Sequence, residues 1–140
     1  MRLFLMTVTA SGFALSTFMM ANQALAVQDT PTTVNGVEMV CTGVGSAKDD
    51  PRWSAYPIKI VLATTGGANL ANAHVSLVKG GQEVAGMDCD GPWVLFKPPA
   101  GSYTATASLI GGGGSAKSAS FTAGGAQKEI TLMFRSEAGQ

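Results

Sequence analysis

At 140 residues the chain has room for one domain of ordinary size. Nine basic and nine acidic side chains leave it without net charge. Its Lys and Arg residues fall singly, so nothing draws it over long range to nucleic acid or anionic lipid, and nucleic-acid binding is excluded as a function class.

The chain opens Met1-Arg2 and then carries no charged side chain from Leu3 to Gln28. The apolar part, Leu3–Met20, gives way to Ala21-Asn22-Gln23 and then to Ala24-Leu25-Ala26, directly before Val27. A positive end, an apolar run, a polar stretch and a small–x–small tripeptide in that order are the parts of a cleavable signal peptide, here 1–26. The stretch is long enough to span a bilayer, but Ser, Thr, Asn and Gln enrich its end. Cleavage is therefore the expectation, with no stable membrane anchor. No cysteine follows the cleavage site, so a lipid anchor is not indicated. The expected location is the periplasm or the exterior. Cleavage removes one basic group, Arg2, and no acidic one, so the mature chain carries a single net negative charge.

Residues 27–35 (VQDTPTTVN) offer little to bury and read as a flexible leader. From Gly36 onward the patterning has period two, with no amphipathic helix. Ile58, Ile60 and Leu62 alternate with Lys59, Val61 and Ala63, and Ala73, Val75 and Leu77 with His74 and Ser76. Tyr103, Ala105, Ala107 and Leu109 share one face of a strand, and Thr104, Thr106 and Ser108 share the other. Ile130, Leu132 and Phe134 alternate with Glu129, Thr131 and Met133. Glycine and proline pairs punctuate these runs. Strands are expected near 37–44, 57–64, 73–79, 82–88, 93–97, 102–110, 116–122 and 127–134. Strands 73–79 and 82–88 should form a hairpin across Gly80-Gly81. Seven or eight strands without intervening helices predict an all-β, antiparallel β-sandwich over 36–134, followed by a short tail, 135–140.

The chain has two cysteines, Cys41 and Cys89. An even pair in an oxidising compartment favours a disulfide, which would close a loop of about 50 residues and contribute roughly 4 kcal/mol. Two thiols and one histidine fall short of a tetrahedral metal site. Free thiols stay open as the alternative, because spacing alone does not bring two Cα atoms within bridging distance.

The remaining chemistry-bearing residues are few. His74 is the only histidine and by parity faces away from Val75 and Leu77, as a surface residue rather than a catalytic base. Asp88-Cys89-Asp90-Gly91 echoes the start of a calcium loop, but the twelfth position is Pro99, so an EF-hand is excluded; Asp88 and Asp90 read as exposed carboxylates of a hairpin turn, with a looser calcium site as the alternative. Gly111–Gly114 lies between two β patterns with no helix after it, and reads as a hairpin loop rather than a phosphate cradle. Trp53, Tyr56 and Trp93 lie in or beside loops. They either form a contact patch for a ligand or partner, or cap the core. No catalytic, cofactor-binding or metal-binding residue is assigned.

Three stretches carry a resemblance. Ala71-Asn72-Ala73-His74-Val75-Ser76-Leu77, Asp88-Cys89-Asp90-Gly91-Pro92-Trp93 and Pro98-Pro99-Ala100-Gly101-Ser102-Tyr103 together resemble the carboxypeptidase regulatory-like domain. Gly43-Val44-Gly45 and Trp53-Ser54-Ala55-Tyr56-Pro57 are similar to a subgroup of small bacterial exported proteins that carry it. The resemblance covers about 36–134. It implies a transthyretin-like sandwich and a binding, adaptor or stabilising module without catalysis of its own. The same fold hosts hydroxyisourate hydrolases, which use several histidines and end Tyr-Arg-Gly-Ser; Phe134-Arg135-Ser136 echoes that tail only faintly, and no catalytic residue carries over.

The function expected is that of a non-enzymatic exported module, needing no cofactor, whose partner is a protein or a surface polymer. Its edge strands would accept an extended segment. A carbohydrate or small-ligand domain using Trp53, Tyr56 and Trp93 as a stacking platform is the alternative, and a hydroxyisourate-type hydrolase a weaker one.

Overall fold

The computed structural model describes residues 29–111 and 115–135. The signal peptide assigned to 1–26, the glycines 112–114 and the tail beyond 135 lie outside the described residues. The strands are β1 (Thr32–Val34), β2 (Val37–Thr42), β3 (Ile58–Thr64), β4 (Ala73–Lys79), β5 (Gln82–Cys89), β6 (Trp93–Lys97), β7 (Gly101–Leu109), β8 (Lys117–Ala123) and β9 (Lys128–Phe134). They form a five-stranded sheet in the order β1-β2-β6-β3-β9 and a four-stranded sheet in the order β5-β4-β7-β8. The architecture is a β-sandwich, all-β as expected.

The period-two runs explain the two layers. Ile58, Ile60 and Leu62 of β3, Val94 and Phe96 of β6, and Leu132 and Phe134 of β9 point inward from the first sheet. Ala73, Val75 and Leu77 of β4 and Tyr103, Ala105 and Ala107 of β7 meet them from the second. Burying one face of each strand fixes register, because a slip of one residue would turn the whole apolar set to solvent. β4 and β5 pair across Gly80-Gly81, with Lys79 opposite Gln82, and both glycines have positive φ.

Three features differ from the sequence reading. One pair of strands is parallel: β3 runs alongside β9 from Ile58↔Lys128 to Thr64↔Phe134, so the sandwich is antiparallel except at that edge. Alternation of side chains does not encode strand direction, so the pattern gave no sign of it. The leader is not wholly free: it holds a ninth strand, β1, paired with β2 from Thr32↔Met39 to Val34↔Val37. Asn35 and Gly36 turn the chain with φ of 50° and 76°, the positive values that a two-residue type I′ turn requires. The connection before β3 forms two short 3-10 turns, Gly45–Asp49 and Pro51–Ala55.

Cys41 on β2 and Cys89 at the end of β5 form a disulfide, with Cα atoms 5.4 Å apart. The bridge joins the two sheets. A disulfide is compatible with a non-cytoplasmic location. Among the described residues no helix is long and apolar enough to cross a membrane.

Replacing both Cys41 and Cys89 with Ala should lower stability by roughly 2–4 kcal/mol, by freeing a long loop in the unfolded chain. The measurement is the urea midpoint of the variant against the oxidised protein, and coincident midpoints would contradict it.

Candidate functional site

The aromatic residues singled out from the sequence do not form an open platform. Trp53 and Tyr56 are 4% and 2% exposed, and with Val40 and Leu95 they build a second, smaller core on the outer face of the five-stranded sheet. Their rings meet edge to face with centroids 6.0 Å apart. The Trp53 Nε1–H donates to Ala47 O at 2.6 Å, and the Tyr56 hydroxyl donates to Glu38 Oε1 at 2.7 Å. Burial, first, and the Glu38 carboxylate, second, push the Tyr56 hydroxyl well above the usual phenol range. The Gln127 Nε2 amide donates to both Trp53 O and Tyr56 O, at 2.7 and 2.9 Å, fastening the 3-10 segment to the start of β9.

Trp93, half-buried, packs against this smaller core on the same outer face. A Cβ placed at Gly43 would lie 2.7 Å from Trp93 Cγ, so glycine is needed where β2 ends against the indole. Lys59 Nζ sits 3.4 Å from the centre of the ring, and is itself 3.4 Å from Glu129 Oε2. Of the two readings of Trp53, Tyr56 and Trp93, contact patch or cap, the burial of Trp53 and Tyr56 supports the cap. Two of the rings are buried, and the third packs against Gly43 and Lys59. Capping is the favourable use of these rings, because their large apolar area is removed from water.

The outer face of the four-stranded sheet is different. His74 on β4 is bonded at both ring nitrogens: Nδ1 lies 2.8 Å from Asp88 Oδ1, and Nε2 lies 2.8 Å from Glu83 Oε1. Both carboxylates belong to β5. The shift in pairing between Leu77 and Val78 turns Glu83 to the same face, and a side chain at Gly86 would collide with its carboxylate. The Glu83 hydrogen bond does most to raise the affinity of the imidazole for its proton; burial opposes it, and the Asp88 contact adds a smaller rise. The two carboxylates grip opposite ends of the ring, so they do not converge on one point. Among the described residues no cluster of His, Cys, Asp or Glu is placed to hold a metal ion. Asp90 is exposed in the turn after β5 and takes no part in the cluster. The sequence placed His74 and Asp88 outward but offered no sign of Glu83, whose position depends on the bulge.

Beyond His74 the same face is lined by hydroxyls. Thr104 and Ser120 stand 3.2 Å apart across β7 and β8, and Thr106 and Ser118 stand 3.0 Å apart. Ser102, Ser108 and Thr122 continue the pattern on exposed positions. β8 ends this sheet and pairs only with β7.

No family model matches the chain, and no curated protein matches it in sequence. The resemblance to carboxypeptidase regulatory-like domains thus rests on the motifs themselves. Two of them have clear structural work. The Tyr103 hydroxyl donates to Pro99 O at 2.8 Å, closing the Pro-x-Gly-x-Tyr corner. The Gly91 N–H points to Cys89 Sγ at 3.4 Å, in the turn that follows the disulfide.

Two outcomes follow from this geometry. Trp53→Ala should cost roughly 3–5 kcal/mol, the usual loss for a buried aromatic, read from the urea midpoint. An exposed contact residue would cost almost nothing. His74→Gln should remove a pH-dependent contribution of no more than about 1 kcal/mol, since the group is partly exposed. Because the folded imidazole holds its proton more tightly than the unfolded one, the contribution is complete below the ordinary value of about 6.5. It is lost as pH rises through the higher folded value. Parallel stability curves for the two proteins from acid to alkaline pH would contradict the assignment.

Proposed function

We propose that this chain is an exported, non-enzymatic β-sandwich module of the carboxypeptidase regulatory-like kind, which binds a protein partner by adding an extended segment to the edge of β8. The character of that edge carries the reading. β8 is seven residues long, has one neighbour, contains no proline or acidic residue, and holds a single charge, Lys117. Its outward side chains, Ser118, Ser120 and Thr122, are small and neutral. Edge strands are ordinarily guarded by charge, bulges, proline or brevity, because their free N–H and C=O groups template another strand.

The other three edges carry such guards. β1 has three residues. β5 has a register shift and the carboxylates of Glu83 and Asp88. β9 begins Lys128-Glu129, with Glu129 paired to Lys59. Main-chain bonds at β8 would supply affinity, and side-chain contacts on alternate positions would supply selectivity. The disulfide supports work in an oxidising compartment. A non-enzymatic role is supported by His74, whose two nitrogens are both occupied by carboxylates rather than aimed at a nucleophile.

A photo-crosslinking amino acid at Ser120 in the native compartment tests this, with the same group at Gln82 on β5 as control. Adducts should form from Ser120 and not from Gln82, and should disappear when Ser118→Lys and Thr122→Lys are added to guard the strand. No adduct from either position, or equal adducts from both, would overturn the proposal.

A further inference from the structure

The turn that closes the β1–β2 hairpin holds the one Asn-Gly pair in the sequence, Asn35-Gly36. Both residues are exposed, and nothing lies within 4 Å of where a Gly36 side chain would stand. Asn35 also holds the two sheets together, since its Nδ2–H donates to Val84 O on β5 at 2.9 Å. We propose that Asn35 is a covalent modification site, where spontaneous deamidation releases the β1–β2 turn from β5.

The chemistry needs only this chain and water. The Gly36 backbone nitrogen attacks Asn35 Cγ, forming a new N–Cγ bond. The Cγ–Nδ2 bond breaks, and ammonia leaves with the proton that the backbone nitrogen gives up. Water then opens the five-membered succinimide at either carbonyl, leaving an aspartyl or an isoaspartyl linkage. Glycine at position 36 favours the first step because no side chain shields its nitrogen.

The fold sets when this happens. In the closed hairpin, pairing of Val34 with Val37 and positive φ at both turn residues hold the Gly36 nitrogen in the turn. β1 is three residues long with every residue exposed, so it is the kind of segment that opens locally without global unfolding. The reaction proceeds from that open form, and either product hinders closing. The donor that met Val84 O becomes a carboxylate, which sets acceptor against acceptor. The isoaspartyl form also lengthens the backbone of a two-residue turn that has no room for it. Deamidation therefore converts a reversible opening of β1 into a lasting one, and the consequence is independent of anything that β8 binds.

The test ages the purified, disulfide-bonded protein in mildly alkaline buffer and follows intact mass, peptide maps and isoaspartyl methyltransferase labelling. The expected gain is about one dalton, confined to the peptide that holds Asn35 and absent at Asn69 and Asn72. Amide exchange over Thr32–Val34 should rise several-fold in the aged protein and equally in Asn35→Asp. No gain at Asn35 in the folded protein, under conditions where the urea-unfolded protein converts there, would overturn the site. Unchanged exchange over β1 in Asn35→Asp would overturn its consequence.

Discussion

Cys41 and Cys89 sit on facing sheets with Cα atoms only 5.4 Å apart. Stacked sheets ordinarily lie about 10 Å apart, a gap filled by side chains from both layers. The bridge therefore draws the layers together where β2 passes β5, and the rest of the interior must be filled around that pinch. Its place in the sequence supports this. Cys89 is the last residue of β5 and Cys41 the fifth of six in β2, so the close approach falls at strand ends. There the backbone can bend without breaking a long ladder.

The pinch divides the molecule into two unlike sides. On the β5 side, the disulfide, the Asn35 amide on Val84 and the packing of β1 and β2 against β5 all tie one sheet to the other. The two carboxylates on His74 add a further tie between β4 and β5. On the opposite side β8 packs over β9, and the stacked rings of Tyr103 and Phe121 lie 6.0 Å apart. Polar ties on that side are fewer, with Lys128 Nζ donating to Thr122 O at 2.8 Å near the strand ends. Covalent and directional restraints thus gather at one edge, while the other is held mainly by non-directional apolar burial. That division suits the edge binding proposed for β8, since the side holding the restraints keeps the shape while the β8 edge stays outside them.

Much of the fold was legible from period-two alternation, because each strand buries one face. Ile58, Ile60 and Leu62, or Tyr103, Ala105 and Ala107, could sit inward in only one register. The aromatic cap was also written in the sequence, though in a less obvious place than the aromatics. Val40 stands between Met39 and Cys41, and Leu95 between Val94 and Phe96, so both strands are apolar on both faces. Continuous apolar runs in an otherwise alternating sheet mean that something covers the outer face. Trp53 and Tyr56 are that cover. Asn35-Gly36 was likewise a hairpin signal, obscured because Thr32 and Thr33 have no apolar alternation to reinforce it. The grip on His74 was not legible. Glu83 reaches it only through a bulge, and bulges arise from pairing between strands rather than from either strand alone.

The bulk of the interior is unevenly shared between the sheets, and this bears on the edge left open. The five-stranded sheet contributes Met39, Ile58, Ile60, Leu62, Phe96 and Phe134, whereas β7 and β8 contribute Ala105, Ala107, Ala119 and Ala123 beside Tyr103 and Phe121. Large residues facing small ones fill the gap without forcing the layers apart, which a sandwich pinched by a disulfide requires. The outward positions of β7 and β8 are occupied by Ser and Thr, and between Tyr103, Leu109 and Phe121 the inward positions are held mostly by alanine. Small side chains leave the backbone of β8 less screened than that of a strand bearing long or branched residues. The packing that lets the sheets close around Cys41–Cys89 and the accessibility of the β8 edge therefore have a common origin in the same alternation of alanine with serine and threonine.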